Sequence, residues 1–434
     1  MHIRRLILEN IKGFSNLDFS FERHDSRLAG WTVITGDNGS GKTALLKAIA
    51  MAVVGPDLTR TLQPGLSGWI RSGENSAYIG IELAPHEDDR FAAGRRPKSA
   101  FWAELELQGN GLANGAREIV VKGTKRQGNR GLGPTHGPWS EGTQGWFGVG
   151  YGPFRRLYGT SVEAQRLMLS LGRISRFATM FREDATLGEC ETWLKDLRHK
   201  EHEGRPAEAE ALRHAIELLN DDFLRNGLSV ERVDSNGLWL KDERGMVLPL
   251  ADMSEGYRAA LAMMIDLVRH LANVNGSADL TTVKEGRRVV SHPGLVLIDE
   301  VDAHLHPEWQ RVIGFWLKER FPCIQFVVTS HSPLVCPAAE VGALYHLPAP
   351  SSGRPPFRLS DEDCREILRG RPDAILLGPA FSMEHTRSPL AVDAQREYAE
   401  LQAKKAALGK LDRAGQTRER QLRMFVEPDE TEEN

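Results

Sequence analysis

Eight consecutive residues, Gly36-Asp37-Asn38-Gly39-Ser40-Gly41-Lys42-Thr43, combine types that suit one task. Glycine at 36, 39 and 41 lets backbone N–H groups turn inward on a single anion. A β-branched run ends at Thr35, and an apolar helical pattern occupies 44–54, so a helix N-terminus adds the positive end of its dipole. The spacing is G-x-x-x-x-G-K-[ST], a phosphate-binding loop in its required context of strand before and helix after. In that reading the backbone of residues 36–41 cradles phosphate, Lys42 reaches the β- and γ-phosphates, and the Thr43 hydroxyl ligates Mg²⁺.

A second group of acids follows a buried-looking strand, "LVLIDEVDAHLHP" at 295–307. Ligands of doubly wound sheets bind at the carboxyl ends of strands, where Asp299 and Glu300 fall. Asp299 can hold Mg²⁺, and Glu300 can orient or deprotonate an attacking water. Lys42 and Asp299 lie 257 positions apart, which leaves room for an inserted lobe. A third group, "LADMSEGYRAALAMMIDLVRHL" at 250–271, opens a helix with Ser254 as N-cap and Glu255 and Gly256 in the first turn, a second helix start offered to an anion.

The order of phosphate loop, helical lobe, Ser-x-Gly helix start, acidic strand and "TSHSP" resembles the ATP-binding cassette (ABC) family. The resemblance implies ATP and Mg²⁺ as cofactors, Met253-Ser254-Glu255-Gly256-Tyr257 as the signature motif, Asp302 on the D-loop and His331 as the switch histidine. It also implies a head-to-tail homodimer, each ATP lying between one protomer's phosphate loop and the other's Ser254 helix. "IRRLILENIKGF", "WIRSGENSAYIGIEL" and "DEVDAHLHPEWQ" resemble the RecF, SMC and OLD-like branch. "GYGPFRRL", "SRFATMFRED" and "GPAFSMEHTRSP" resemble stand-alone bacterial anti-phage ATPases of the Septu and retron-linked type. That narrower resemblance implies an ATPase that gates a partner effector such as a nuclease; the alternative is a RecF-like repair ATPase that binds DNA. The family's Q-loop glutamine is not evident: the strand before the helical lobe ends Tyr151-Gly152-Pro153-Phe154, and Gln144 lies too early.

These groups need an α/β scaffold to meet. The pattern predicts a mixed sheet carrying the phosphate loop and a β-rich lobe over 1–160, a short helical lobe over 161–225, and a second half of the head over 226–347 with signature, acidic strand and switch histidine. A linker, C-terminal helices (the last near 390–415) and an acidic tail fill 348–434. The Gly-rich stretch 127–145 reads as a mobile surface loop.

Composition narrows the classes. Of 434 residues, 41% are hydrophobic and 26% charged, with a net charge of −4, so DNA contact has to come from local patches. Arg95 and Arg96 in "GRRPK", and Lys122, Lys125 and Arg126 in "KGTKRQGNR", are the candidates. Cysteines 190, 323, 336 and 364 have no C-x-x-C spacing, which disfavours a zinc hook or a disulfide framework. His304 and His306 lack a third ligand nearby and read as packing at a helix start. No stretch is apolar enough to span a membrane, and the opening apolar run is too short for a signal peptide, so the expected location is cytoplasmic. Residues 348–434 are too short for an OLD-type nuclease domain, and there is no H-N-H pattern.

Overall fold

The computed structural model describes residues 1–111, 117–127, 132–159, 161–169, 172–276, 280–423 and 425. They divide into two compact units, Met1–Gly370 and Arg371–Asn434. The first opens with β1 (His2–Ile11), β2 (Phe14–Ser20), β3 (Gly30–Gly36), α1 (Lys42–Val54) and a short α2 (Pro56–Leu62). β4 (Ser76–Ala84), β5 (Phe101–Gly111), β6 (Arg117–Gly123) and β7 (Gly148–Tyr151) follow. The helical lobe comprises α3 (Val162–Leu169), α4 (Arg173–Phe181), α5 (Glu189–His202) and α6 (Pro206–Asn220). A meander of β8 (Ser229–Asp234), β9 (Gly237–Lys241) and β10 (Val247–Pro249) leads into α7 (Glu255–Asn275). After the hairpin β11 (Thr282–Lys284) and β12 (Arg287–Val289) come β13 (Gly294–Ile298), α8 (Pro307–Arg320), β14 (Ile324–Thr329), β15 (Leu344–Leu347), β16 (Phe357–Arg358) and α9 (Asp361–Arg369). The second unit holds α10 (Pro372–Leu377), α11 (Pro389–Leu408) and α12 (Arg413–Arg423).

Two sheets form the head. One is antiparallel, ordered β2-β1-β4-β5-β6; the other is ordered β16-β15-β3-β14-β13-β7 and is parallel except for β16. β13 and β14 are buried along their whole length, as expected in a parallel sheet covered on both faces; β13 is apolar throughout, and the buried Gln325 of β14 bonds the Ile3 backbone. α1 packs against strands of both sheets and buries residues all round its axis, so it has no polar face. Each fully buried Leu, Ile, Val or Met on it contributes about 1.5–3 kcal/mol, which fixes the phosphate loop at its N-terminus to both layers.

Some elements depart from the sequence reading. The described part of the Gly-rich stretch is anchored: the Trp139 indole donates to Ala52 O (2.8 Å), and Arg173 of α4 donates to Trp139 O (3.0 Å). The first unit runs past 347 to Gly370, because β16 pairs with β15 and α9 follows it. The expected C-terminal helix is a hairpin instead, broken at Gly409 (φ 75°) and tied by Arg418–Glu397 and Lys405–Glu419 pairs. The acidic tail lies outside the described residues.

A buried polar cluster joins α7 to β7. Asp266 accepts from the Tyr151 hydroxyl (3.2 Å) and from Arg269 (2.7 Å), with His270 at 3.4 Å. Burial by itself would raise the Asp266 pKa, but the neighbouring His270 and Arg269 outweigh it and hold the carboxyl below its usual range. A depressed folded pKa stabilises above the unfolded value and is lost as pH falls through the folded one. Asp266→Asn is therefore expected to destabilise the head by about 3 kcal/mol at neutral pH. Urea unfolding should show the gap from wild type narrowing below about pH 4.

Candidate functional site

The phosphate loop leaves β3 at Gly36, which pairs in register with Leu347 of β15. A Cβ at 36 would stand 2.3 Å from Leu347 O, and one at Gly41, where φ is 98°, would stand 2.7 Å from the Phe14 ring. Neither position can take a side chain, because the loop is pressed between β15 and the start of β2. Lys42 is nearly buried and donates to Gly36 O (2.8 Å) and Asp37 O (2.9 Å). Burial lowers its pKa, and Asp299, Glu300, Asp37 and Asp302 partly offset that. Its ammonium is thus held over the loop within the field of the acids on the β13 side.

Those acids occupy a tight turn after β13. One hydroxyl, Thr329 Oγ1 at the end of β14, donates to Asp299 Oδ1 (2.5 Å) and accepts from the Glu300 amide (2.7 Å). Glu300 sits at φ 47°, an uncommon conformation for a side chain with a Cβ. Asp302 Oδ1 accepts from the His331 amide (3.2 Å), which joins the residue expected on the D-loop to the expected switch histidine. Two buried oxygens lack a protein partner, Asp299 Oδ2 and Ser40 Oγ. Asp299 Oδ2, a buried carboxylate oxygen without a protein partner, is a hard oxygen donor of the kind Mg²⁺ takes, and the half-buried Thr43 hydroxyl is the other oxygen that the loop spacing supplies.

The signature residues are elsewhere. Ser254 is the N-cap of α7, as its type suggests, but it makes no side-chain cap bond, so its hydroxyl and the helix amides are left for another acceptor. It lines a cavity of about 500 Å³ with Tyr257, His304, His306 and Trp309, and no phosphate-loop residue lines that cavity. A Cβ at Gly256 would lie 2.3 Å from His304 O, so α7 needs glycine there to rest on the turn that follows the D-loop. Glu255 is exposed in the first turn. His306 caps α8 by accepting from the Glu308 amide (3.4 Å), in keeping with the packing role expected of it.

The five basic residues do not act alike. Arg95 and Arg96 join Lys98 in lining a cavity of about 900 Å³ with Phe91, Phe101 and Trp102. It lies beside the β4–β5 connection, at the end of the antiparallel sheet where His2 pairs with Ala84; the phosphate loop lies at the other end, where Phe14 meets Gly41. Arg126 is committed to Glu9 (2.9 Å) and stacks 4.4 Å from the centre of the Tyr78 ring, and Lys122 donates to Gln108 (3.3 Å). Lys125 is exposed. Arg126 is thereby removed from the set of free cations, whereas Lys122 meets a neutral amide and keeps its charge.

Comparison with known proteins follows the two halves of the head. Residues 5–128 match a family model described as an AAA domain, and residues 173–336 match one described as "AAA domain, putative AbiEii toxin, Type IV TA system". The chain is 31% identical over 106 residues to the DNA replication and repair protein RecF of Stenotrophomonas maltophilia, covering 24% of this chain and 27% of that one. The two halves of the head are thus similar to AAA-type ATPase domains, and part of the chain is similar to RecF. This head is also 24% identical over 338 residues to the Septu protein PtuA of Bacillus mycoides, covering 76% of this chain and 38% of that protein. It is 38% identical over 145 residues to the retron Ec83 probable ATPase of Escherichia coli, covering 33% and 25%. The chain therefore spans well under two thirds of the length of these relatives.

Sequence reasoning missed Arg155 and Thr329. Arg155 is 4% exposed and donates to Asp299 O (2.8 Å), Glu300 O (2.9 Å), Gly152 O (3.1 Å) and Ala303 O (3.3 Å). Burial brings its pKa down to about 10 against the pull of Asp299, Asp302 and Glu300. The available signal was its place at the end of β7, where the expected glutamine is missing. For the loop itself, Lys42→Ala is expected to weaken ATP binding more than tenfold, the worth of about 1.5–3 kcal/mol of charge-assisted contact. Calorimetric titration checks this, and unchanged affinity would refute the assignment.

Proposed function

We propose that the chain is an ATP-driven switch, working as a head-to-tail homodimer or a higher oligomer, that gates a partner effector such as a nuclease in bacterial anti-phage defence. The observation that carries this reading is the division of the site. Phosphate loop, acidic turn and His331 lie together, whereas Ser254 offers an uncommitted helix start at a separate cavity. A γ-phosphate on Lys42 would then be met from across a dimer interface by the Ser254 helix of a second copy. Similarity to the Septu and retron ATPases supports the defence setting.

In this mechanism residues 36–41 and Lys42 hold the triphosphate. Thr43 and Asp299 would hold Mg²⁺, which when bound would draw charge from the phosphate oxygens. Glu300 takes a proton from the attacking water, and the His331 side chain steadies the γ-phosphate. Asp302, bonded to the His331 amide, relays the change to the D-loop. Assembly depends on ATP because neither half-site is complete alone, and hydrolysis releases the dimer and the effector.

Mixing two dead variants tests the division. In a Lys42→Ala/Ser254→Arg mixed dimer, one composite site carries both lesions and the other is intact. ATPase activity is expected to return partly in the mixture. No recovery, in a sample where mass spectrometry shows mixed dimers, would refute composite sites.

A RecF-like repair ATPase is the second reading, favoured by the RecF match and by the cationic cavity at Arg95 and Arg96. The two readings separate on DNA. As a gating ATPase, the purified protein with Mg²⁺ and ATP leaves DNA uncut and binds it weakly, with a salt slope that drops by about 2 when Arg95 and Arg96 become Ala. Tight binding selective for gaps or ends would favour repair, and cleavage by the lone protein would defeat both readings.

A further inference from the structure

The Q-loop glutamine is absent where β7 ends, and a buried arginine stands just beyond that point. All the hydrogen bonds of the Arg155 guanidinium go to backbone carbonyls, and three of the four acceptors belong to the turn that carries the acids: Asp299, Glu300 and Ala303. The fourth is Gly152, in its own segment. A buried cation is costly unless the groups around it are arranged for it. Here a planar fork with several fixed donors matches carbonyls that converge only because the chain turns back on itself at Glu300. With φ at 47°, Glu300 would relax if those carbonyls were free.

The other side of the same segment belongs to the helical lobe. Gly152 lies so close to α4 that a Cβ would stand 2.3 Å from Thr179 O. Thr179 Oγ1 donates to Gly150 O (3.3 Å), and the Leu187 amide donates to Arg156 O (2.8 Å). Residues 150–156 are thus gripped by the lobe on one side and grip the acidic turn on the other. A shift of α4 reaches Glu300 through one side chain.

We propose that Arg155 is a positioning residue of the ATPase, holding the Glu300 turn in its left-handed form and making that form answer to the helical lobe. The inference rests on the reading above, in which Glu300 is the base. Arg155 never meets the nucleotide; it acts through the backbone of the acids. Hydrolysis therefore depends on it, and ATP binding on Lys42 does not.

Arg155→Lys tests this, because a point-like ammonium cannot span the same carbonyls. Steady-state turnover is expected to fall at least tenfold, while the ATP affinity measured by calorimetry stays within threefold of wild type. Single-turnover hydrolysis should then be no slower in the Arg155→Lys/Glu300→Gln double variant than in Glu300→Gln alone, since the arginine has no base left to position. Turnover near wild type, a loss of ATP affinity matching the loss of turnover, or full additivity in the double variant would overturn the proposal. If Arg155→Lys does not fold, Arg155→Gln takes its place; if neither shows a cooperative melt, the residue is a structural staple and the proposal falls. A Glu300→Gln protein with wild-type turnover would strike the assignment of Glu300 itself. An inactive Glu300→Gln beside an active Arg155→Lys would strike this inference alone.

Discussion

The head depends on a backbone turn that a residue with a Cβ does not readily make. Glu300 at φ 47° carries a cost of about 1–3 kcal/mol, and the neighbours that hold it are specific. Thr329 takes its amide and Arg155 takes its carbonyl. The same threonine hydroxyl fixes one oxygen of Asp299 and leaves the other unpartnered. Asp302, two residues on, is tied to His331, and Gln310 of α8 holds the carbonyls of Asp302 and Leu305. His304 then meets Gly256 at backbone contact distance. A continuous series of hydrogen bonds and close backbone contacts thus connects the acids to the start of α7.

How much of this could be read in the residues depends on whether the chemistry is local. The phosphate loop was legible because its glycines, lysine and threonine lie within eight positions, and each type is demanded by the loop. The acidic strand was legible because a fully buried parallel strand leaves an unbroken apolar run. Ser254 was legible as a cap, although its hydroxyl turns out to be uncommitted. Arg155 carried no such mark: its partners are carbonyls nearly 150 positions away, and carbonyls have no signature in a sequence. Thr329 was hidden likewise, since a threonine ending a strand looks like any β-branched residue there.

The loops show the same limit. Glycines at 127–145 suggested a mobile segment, but Trp139 anchors the described part of it by donating to Ala52 O near the end of α1. Charge in "KGTKRQGNR" suggested a binding patch, but Arg126 had a private partner in Glu9, brought close only when β1 and β6 joined one sheet. Composition counts charges, and only the fold decides which of them are already spent. Arg95 and Arg96 instead line a cavity where three cations, with Lys98, face one acid, Glu82.

The helix behind the phosphate loop has a consequence for the motions open to the protein. α1 buries side chains all round its axis between two sheets, so fraying its first turn would mean parting both layers. Its amides belong with those that exchange with solvent only on global unfolding. A nucleotide held at its N-terminus would therefore not leave by the melting of α1. For a nucleotide held at the N-terminus of α1, the contacts free to open would be those on the exposed side of the loop, at Asp37, Asn38 and Gly39.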